Sequence, residues 1–186
     1  MIHLLSDETA FAAGSVVIVW WSRNALVRPG SHGFYRFFAW EAILGLIVLN
    51  HRAWGKYPFS PHQMFSWLLM ATSIGLVFAG IHALRRHGNT NVLRNDDALY
   101  GWEKTDRLVT TGIFAYIRHP MYSSLLALTW GAYFQQPGYA ATAIAVVGSC
   151  FLLLTALTDE RECRAWFGEP YVAYMRRTWR FFPYIF

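Results

Sequence analysis

The chain has 186 residues, 55% of them hydrophobic, 18% aromatic and only 15% charged; that is the size of one folded unit and too few polar groups to cover a soluble surface. High hydrophobicity with a modest net charge also excludes an intrinsically disordered chain. The formal charge of +5 reads in such a chain as membrane topology rather than affinity for nucleic acid.

The opening residues, MIHLLSDETA, carry acids where a secretory signal carries cations, and no small-residue cleavage site precedes the next apolar run. This stretch therefore reads as part of the mature protein. A bilayer core of about 30 Å takes roughly 20 helical residues, and five apolar runs come near that length. They lie at 10–21, 37–49, 64–84, 121–135 and 139–157. The second contains Glu41, which is costly in lipid unless it faces the bundle interior, where it has either a functional role or a hydrogen bond to another helix. The third has no charged residue. Gln136, Pro137 and Gly138 alone separate the last two runs, which predicts a tight helical hairpin. The expected fold is all-α, an integral membrane bundle of about five transmembrane helices.

The cations orient this bundle, because Lys and Arg in short loops stay on the cytoplasmic side. With five spans and the N-terminus outside, 14 of the 16 lysines and arginines fall on the inner face and two, Arg52 and Lys56, on the outer. The segments 85–120 and 158–186, which hold most of the polar groups, then share the cytoplasmic face. The stretch 85–106, with Gly88, Asn89, Asn91, Asn95, Asp96 and Asp97, reads as an ordered loop or short helices on the membrane surface.

Chemistry is expected at the start of the fourth run. Fifteen helical residues rise roughly 22 Å, short of the hydrocarbon thickness, so residues 112–120 lie at or below the headgroups. Pro120 suits the first turn of a helix, which puts His119 near a helix N-terminus where free N–H groups attract carboxylates and phosphates. Read without wider context, Arg118, His119 and Tyr122 are ordinary interfacial residues. Glu160 and Arg164 are spaced as a helical i,i+4 ion pair, which by spacing alone is a modest surface contact. After Pro170 a last helix puts Tyr171, Tyr174, Met175 and Thr178 on one face and Arg176, Arg177 and Arg180 near the membrane surface, as in an amphipathic interfacial helix. His82 closes the third run as an interfacial residue. His3, His32, His51, His62 and His87 have no ligand-like spacing, so no metal is expected, and Cys150 and Cys163 read as buried free thiols.

Two blocks carry a wider pattern. The first is Leu108-Val-Thr-Thr-Gly112, Tyr116 and Arg118-His119-Pro120-Met121-Tyr122; the second is Asp159-Glu160, Phe167-Gly168, Tyr171, Tyr174 and Arg180-Phe-Phe-Pro183. Together, with the apolar hairpin between them, they resemble the isoprenylcysteine carboxyl methyltransferase and phospholipid methyltransferase superfamily of membrane enzymes over roughly residues 80–186. Departures are present. Asp159-Glu160 stands where the family often has Glu-Glu, Trp179-Arg180 where it has Pro-Arg, Phe114 where proline is common, and Ser123-Ser124 where a glycine is usual. They bear on the acceptor pocket more than on the cofactor.

The resemblance implies a single methyltransferase domain over 1–186, with accessory spans in 1–63 and a catalytic core in 64–186. It implies S-adenosylmethionine as cofactor, bound between the last three spans and the tail without a Rossmann domain, and the chain has no Gly-x-Gly-x-x-Gly after a strand. In the family's pattern His119 and the N–H groups after Pro120 serve the cofactor carboxylate, with Arg118 in the same block. Tyr116 and Tyr122 meet the nucleoside, while Leu108, Val109 and Gly112 let the backbone close over the base. Glu160 faces the cofactor's amino end or positions the acceptor, with Arg164 orienting it, and Arg180 holds an acceptor carboxylate or phosphate. The implied acceptor is lipid-like, either a prenylated thiol-carboxyl compound or a phospholipid amine. Two alternatives are a nicotinamide-dependent membrane reductase of related fold and a non-catalytic membrane scaffold.

Overall fold

The computed structural model describes residues 2–88 and 107–185, with side chains described from Asp7 onward. Its helices are α1 (Ile2–Leu26), α2 (His32–Asn50), α3 (Pro61–His87), α4 (Pro120–Gln135), α5 (Tyr139–Phe167) and the short α6 (Glu169–Met175), with 3₁₀ turns at His51–Ala53 and Gly112–Ala115. Among the described residues there is no strand, and the only β pairing is one parallel bridge between Ile117 and Trp179. The fold is all-α as the apolar runs required. Of the surface segment expected at 85–106, residues 85–87 instead continue α3, which Gly88 caps, and 89–106 lie outside the described residues.

Three stretches, His32–Ala53, Pro61–His87 and Tyr139–Phe167, are long and apolar enough to cross a bilayer. Their outer faces carry the apolar side chains a lipid environment takes up, such as Leu68, Ile74 and Phe78 on α3 and Val146, Val147 and Leu154 on α5. The chain is an integral membrane protein. α4, with 16 residues, rises only about 24 Å, and the hairpin turn at 136–138 joins it to α5 as expected.

α3 packs along α4 and α2 along α5, with α1 laid against α2. Apolar burial offers helices in lipid no driving force for association, so small residues that let backbones approach carry the packing. Ala132, Ala141 and Ala145 are fully enclosed around Leu46 and Met70. A Cβ on Gly131 would lie 2.9 Å from Met70 Cγ and 3.4 Å from the Ser66 carbonyl oxygen, so only glycine lets α3 and α4 meet this closely. Hydrogen bonds tie the same seam, with Ser66 Oγ donating to the Gly131 carbonyl at 2.6 Å and Gln135 Nε2 to Ser66 Oγ at 2.8 Å, and Asn50 Nδ2 at the end of α2 ties α4 to α2 through the Ala132 carbonyl at 2.8 Å. Glu41 accepts from Ser15 Oγ of α1 at 2.6 Å through Oε2, while its Oε1 is buried without a hydrogen-bond partner among the described residues. Its partner makes it a helix-to-helix contact.

Candidate active site

Pro120 sets the local geometry. The residue before a proline is pushed out of the helical region, and His119 accordingly sits at φ −123°, ψ 60°, as the N-cap of α4 with no capping side chain. The first turn of α4 thus opens with its N–H groups turned toward whatever lies in front of it. At the other end of the site, α5 runs past the apolar stretch for three further turns and stops at Gly168, whose φ of 64° is a left-handed conformation that glycine adopts at little cost. That corner folds α6 back across the end of the bundle.

The tail after α6 is then laid along the segment before α4. Arg118 N–H donates to the Trp179 carbonyl at 2.7 Å, His119 N–H to the Arg180 carbonyl at 3.2 Å, and Trp179 N–H to the Tyr116 carbonyl at 3.1 Å. Ser123 Oγ adds a bond to the Phe181 carbonyl at 3.0 Å, and Tyr174 OH one to the Phe114 carbonyl at 2.7 Å. The two sequence blocks, some 40 residues apart at their nearest, become one structural unit.

At the centre of that unit is a buried ion cluster. Arg118 Nε donates to Glu160 Oε1 at 3.0 Å, and Arg180 donates through Nε and Nη2 to Oε1 and Oε2, both at 3.0 Å. Arg118 also bonds the Met175 carbonyl at 3.2 Å and the Thr178 carbonyl. The side chains of Glu160, Arg118 and Arg180 are 3%, 8% and 16% exposed. His119 lies between the two acids, its Nδ1 3.5 Å from Asp159 Oδ2 and its Nε2 3.4 Å from Glu160 Oε1. Those are ion-pair separations rather than well-formed hydrogen bonds. Burial pulls the imidazole toward its neutral form, but the two carboxylates outweigh it and hold the His119 pKa above its usual 6.5.

A cleft of about 120 Å³ opens beside this cluster. His119 and Tyr122 of α4 face it, stacked with ring centroids 5.2 Å apart, and so does Asp159, which accepts from Tyr122 OH at 3.2 Å and Cys163 Sγ at 3.4 Å. Leu108, Val109, Phe114 and Met121 line the apolar side, and Tyr171 and Tyr174 close it from α6.

Of the residues the sequence pointed to, Leu108, Val109, Arg118, His119, Pro120 and Tyr122 line this cleft. Others sit elsewhere. Gly112 has a φ of 64° and presses against Ala83 of α3; Tyr116 exposes about half its surface while its backbone pairs with Trp179. Glu160 lies behind the cleft, enclosed by the two arginines. Arg164 does not orient the Glu160 carboxylate: it donates to the Glu160 backbone carbonyl at 3.3 Å, because the carboxylate is already taken by Arg118 and Arg180. Arg180 correspondingly points at Glu160 rather than at an open acceptor site. α6 ends at Met175, so Arg176 and Arg177 lie in the turn beyond it; Tyr171, Tyr174 and Thr178 are buried together as the spacing predicts. Cys150 is exposed on α5 and only Cys163 is partly enclosed.

The residues whose place at the cleft sequence reasoning missed are His32 and Cys163. His32, buried at the start of α2, lines the cleft and is bound to Glu162, 130 positions away. Local spacing carries no signal for such a pair. Phe167, Tyr171 and Tyr174 were legible only as part of the second block.

An all-helical membrane protein with an apolar, aromatic cleft that carries opposite charges at one end is the class this geometry defines. Residues 62–169 match the phospholipid methyltransferase family, and the chain belongs to that family. The match takes in α3, α4 and α5 and leaves out α1, α2, all but the first residue of α6 and the tail after it. No curated protein and no solved structure matches the chain.

Proposed function

We propose that this membrane methyltransferase takes its methyl group from S-adenosylmethionine and transfers it to a lipid-like acceptor, with the cleft between α4, α5 and α6 as its active site. The observation that carries this reading is the pairing of opposite charges at one end of an apolar, aromatic cleft. His119 and the open first turn of α4 offer a cationic edge for a carboxylate; Asp159, 3.5 Å from His119, offers an anionic partner for an ammonium group. The residues fit the amino-acid end of the cofactor in this way, and Tyr122, Tyr171 and Phe114 fit its nucleoside.

When bound, the cofactor supplies a methyl group already activated on a sulfonium. The chain's own work is to bind, align and keep out water. Tyr122 and Cys163 orient the Asp159 carboxylate, and Arg118 and Arg180 hold Glu160, which in turn favours the charged form of His119 and keeps it in place. Glu160, Arg118 and Arg180 are in this reading positioning residues. Tyr116, Gly112 and Arg164 support the backbone around the cleft rather than touching the cofactor.

The lipid part of the acceptor enters sideways from the bilayer, since the cleft opens where α4 and α5 leave their apolar stretches. We assign five spans from the five apolar runs, with the accessory helices in 1–63 and the catalytic core in 64–186 from the resemblance, and the N-terminus outside and the active site on the cytoplasmic face from the 14-to-2 split of cations. A lipid extract incubated with the protein and a labelled methyl donor, followed by mass spectrometry, tests the activity. Labelled lipid that depends on the protein supports it, and no labelled lipid from any extract overturns it.

A further inference from the structure

We propose that His32 is a positioning residue for the cofactor: from α2, a helix outside the family match, it fixes the Asp159 carboxylate that receives the cofactor's ammonium group. The inference rests on the cofactor reading above, in which Asp159 is the anionic partner.

Acids and histidines alternate in one row at this end of the cleft. Glu162 grips His32 twice, accepting its backbone N–H through Oε1 at 3.1 Å and standing 2.6 Å from ring Nδ1 through Oε2. The polar side-chain atoms of His32, Asp159 and Glu162 that face one another all lie within 4.8 Å. Beyond them, Asp159 Oδ2 is 3.5 Å from His119 Nδ1, and His119 Nε2 is 3.4 Å from Glu160 Oε1. Asp159 therefore stands between two histidines, each backed by a glutamate. Both rings line the cleft with it, although His32 is only 1% and His119 only 5% exposed.

The start of α2 is pinned where this contact needs it. Arg161 and Glu162, consecutive on α5, both reach across: Arg161 Nη2 donates to the Gly30 carbonyl at 3.1 Å, and Glu162 takes His32. Ser31, between those two partners, caps α2 by accepting from the Phe34 N–H at 3.2 Å. Tyr122 OH and Cys163 Sγ, the hydrogen-bond donors to Asp159, come from α4 and from α5 itself. His32 is what α2 adds to them, on a side of the carboxylate that neither α4 nor α5 supplies.

A carboxylate binds an ammonium through charge-assisted hydrogen bonds whose strength depends on direction. A side chain held from several sides is aimed before the ligand arrives, so less of the binding energy goes into ordering it. Loss of His32 leaves Asp159 free to turn toward α2. The consequence is confined to the amino end of the cofactor, because in the reading above Tyr122, Tyr171 and Phe114 meet the nucleoside and none of them contacts α2 through His32.

The test measures, by calorimetry on the full chain in detergent, the affinity for S-adenosylhomocysteine and for its analogue lacking only the amino group. Wild type, His32→Gln, Asp159→Asn, the double variant and Glu162→Gln are compared. His32→Gln is expected to weaken S-adenosylhomocysteine binding about tenfold and binding of the amino-free analogue less than about twofold. The double variant is expected to bind S-adenosylhomocysteine no more weakly than Asp159→Asn alone, because His32 acts through that carboxylate. Glu162→Gln is expected to follow His32→Gln with a smaller loss, and it decides the comparison if His32→Gln does not fold. Equal losses for both ligands, the mark of a merely structural role, or losses that add in the double variant overturn the proposal. Wild-type affinity in His32→Gln beside a loss in Asp159→Asn overturns it and leaves the cofactor reading standing; wild type that binds no S-adenosylhomocysteine overturns both.

Discussion

Glu160→Gln is the sharpest probe of how the tail is held. In the native chain one carboxylate receives three hydrogen bonds from two arginines, each at 3.0 Å, and all three side chains are at most 16% exposed. The substitution keeps the shape and one acceptor oxygen but leaves two guanidiniums and His119 facing each other without their shared counter-charge. Breaking a buried pair by removing one partner costs about 3–5 kcal/mol, because an uncompensated charge stays behind. At roughly 2–4 °C per kcal/mol for a chain of this size, the melting temperature falls by about 6–20 °C. A solvated surface charge, by contrast, changes stability by less than about 0.5 kcal/mol. Limited proteolysis adds a local readout: the chain beyond Gly168 becomes cleavable first, since the Arg118–Thr178 and Arg118–Trp179 contacts depend on the same cluster. A Glu160→Gln protein that melts within about 2 °C of wild type, with its tail still protected, would refute the buried-cluster reasoning.

Three further outcomes are expected. His119→Ala weakens S-adenosylhomocysteine binding roughly tenfold to a hundredfold, the equivalent of about 1.5–3 kcal/mol for a lost charged partner, whereas His82→Ala, exposed near the end of α3, leaves calorimetric affinity unchanged. Because the His119 pKa is raised on folding, its contribution to stability is complete below the unfolded value of about 6.5 and is lost as the pH rises through the folded value. The melting temperature therefore declines above neutral pH, and His119→Gln removes that part of the slope. A cysteine placed at the exposed Gly138 turn reacts with membrane-impermeant reagent from outside oriented vesicles; protection there rejects the assigned topology.

The class of fold and the location of the site are properties of the sequence by itself. Apolar runs of near-spanning length leave a chain in lipid no choice but helix, since backbone groups there have no water to bond. Pro120 fixes the start of α4 through local backbone chemistry and was legible as such, whereas the fifth apolar run ends at 157 and only the structure shows α5 continuing to Phe167 before Gly168 stops it. The resemblance of the two blocks marked His119, Tyr122 and Asp159-Glu160 before any contact was known. What spacing could not show is which charge meets which. Arg164, four residues from Glu160 on the same helix, looked like its partner, but α5 turns that arginine outward while the tail and the α4 approach bring Arg180 and Arg118 onto the carboxylate from 20 and 42 residues away. His32 is the extreme case. Its immediate neighbours are a serine and a glycine, and its place at the cleft depends on α2 packing along α5 closely enough for Glu162 to reach it across 130 residues. Local sequence determines helices because their hydrogen bonds close within four residues; it is silent on such pairs because their geometry exists only once separate helices have packed.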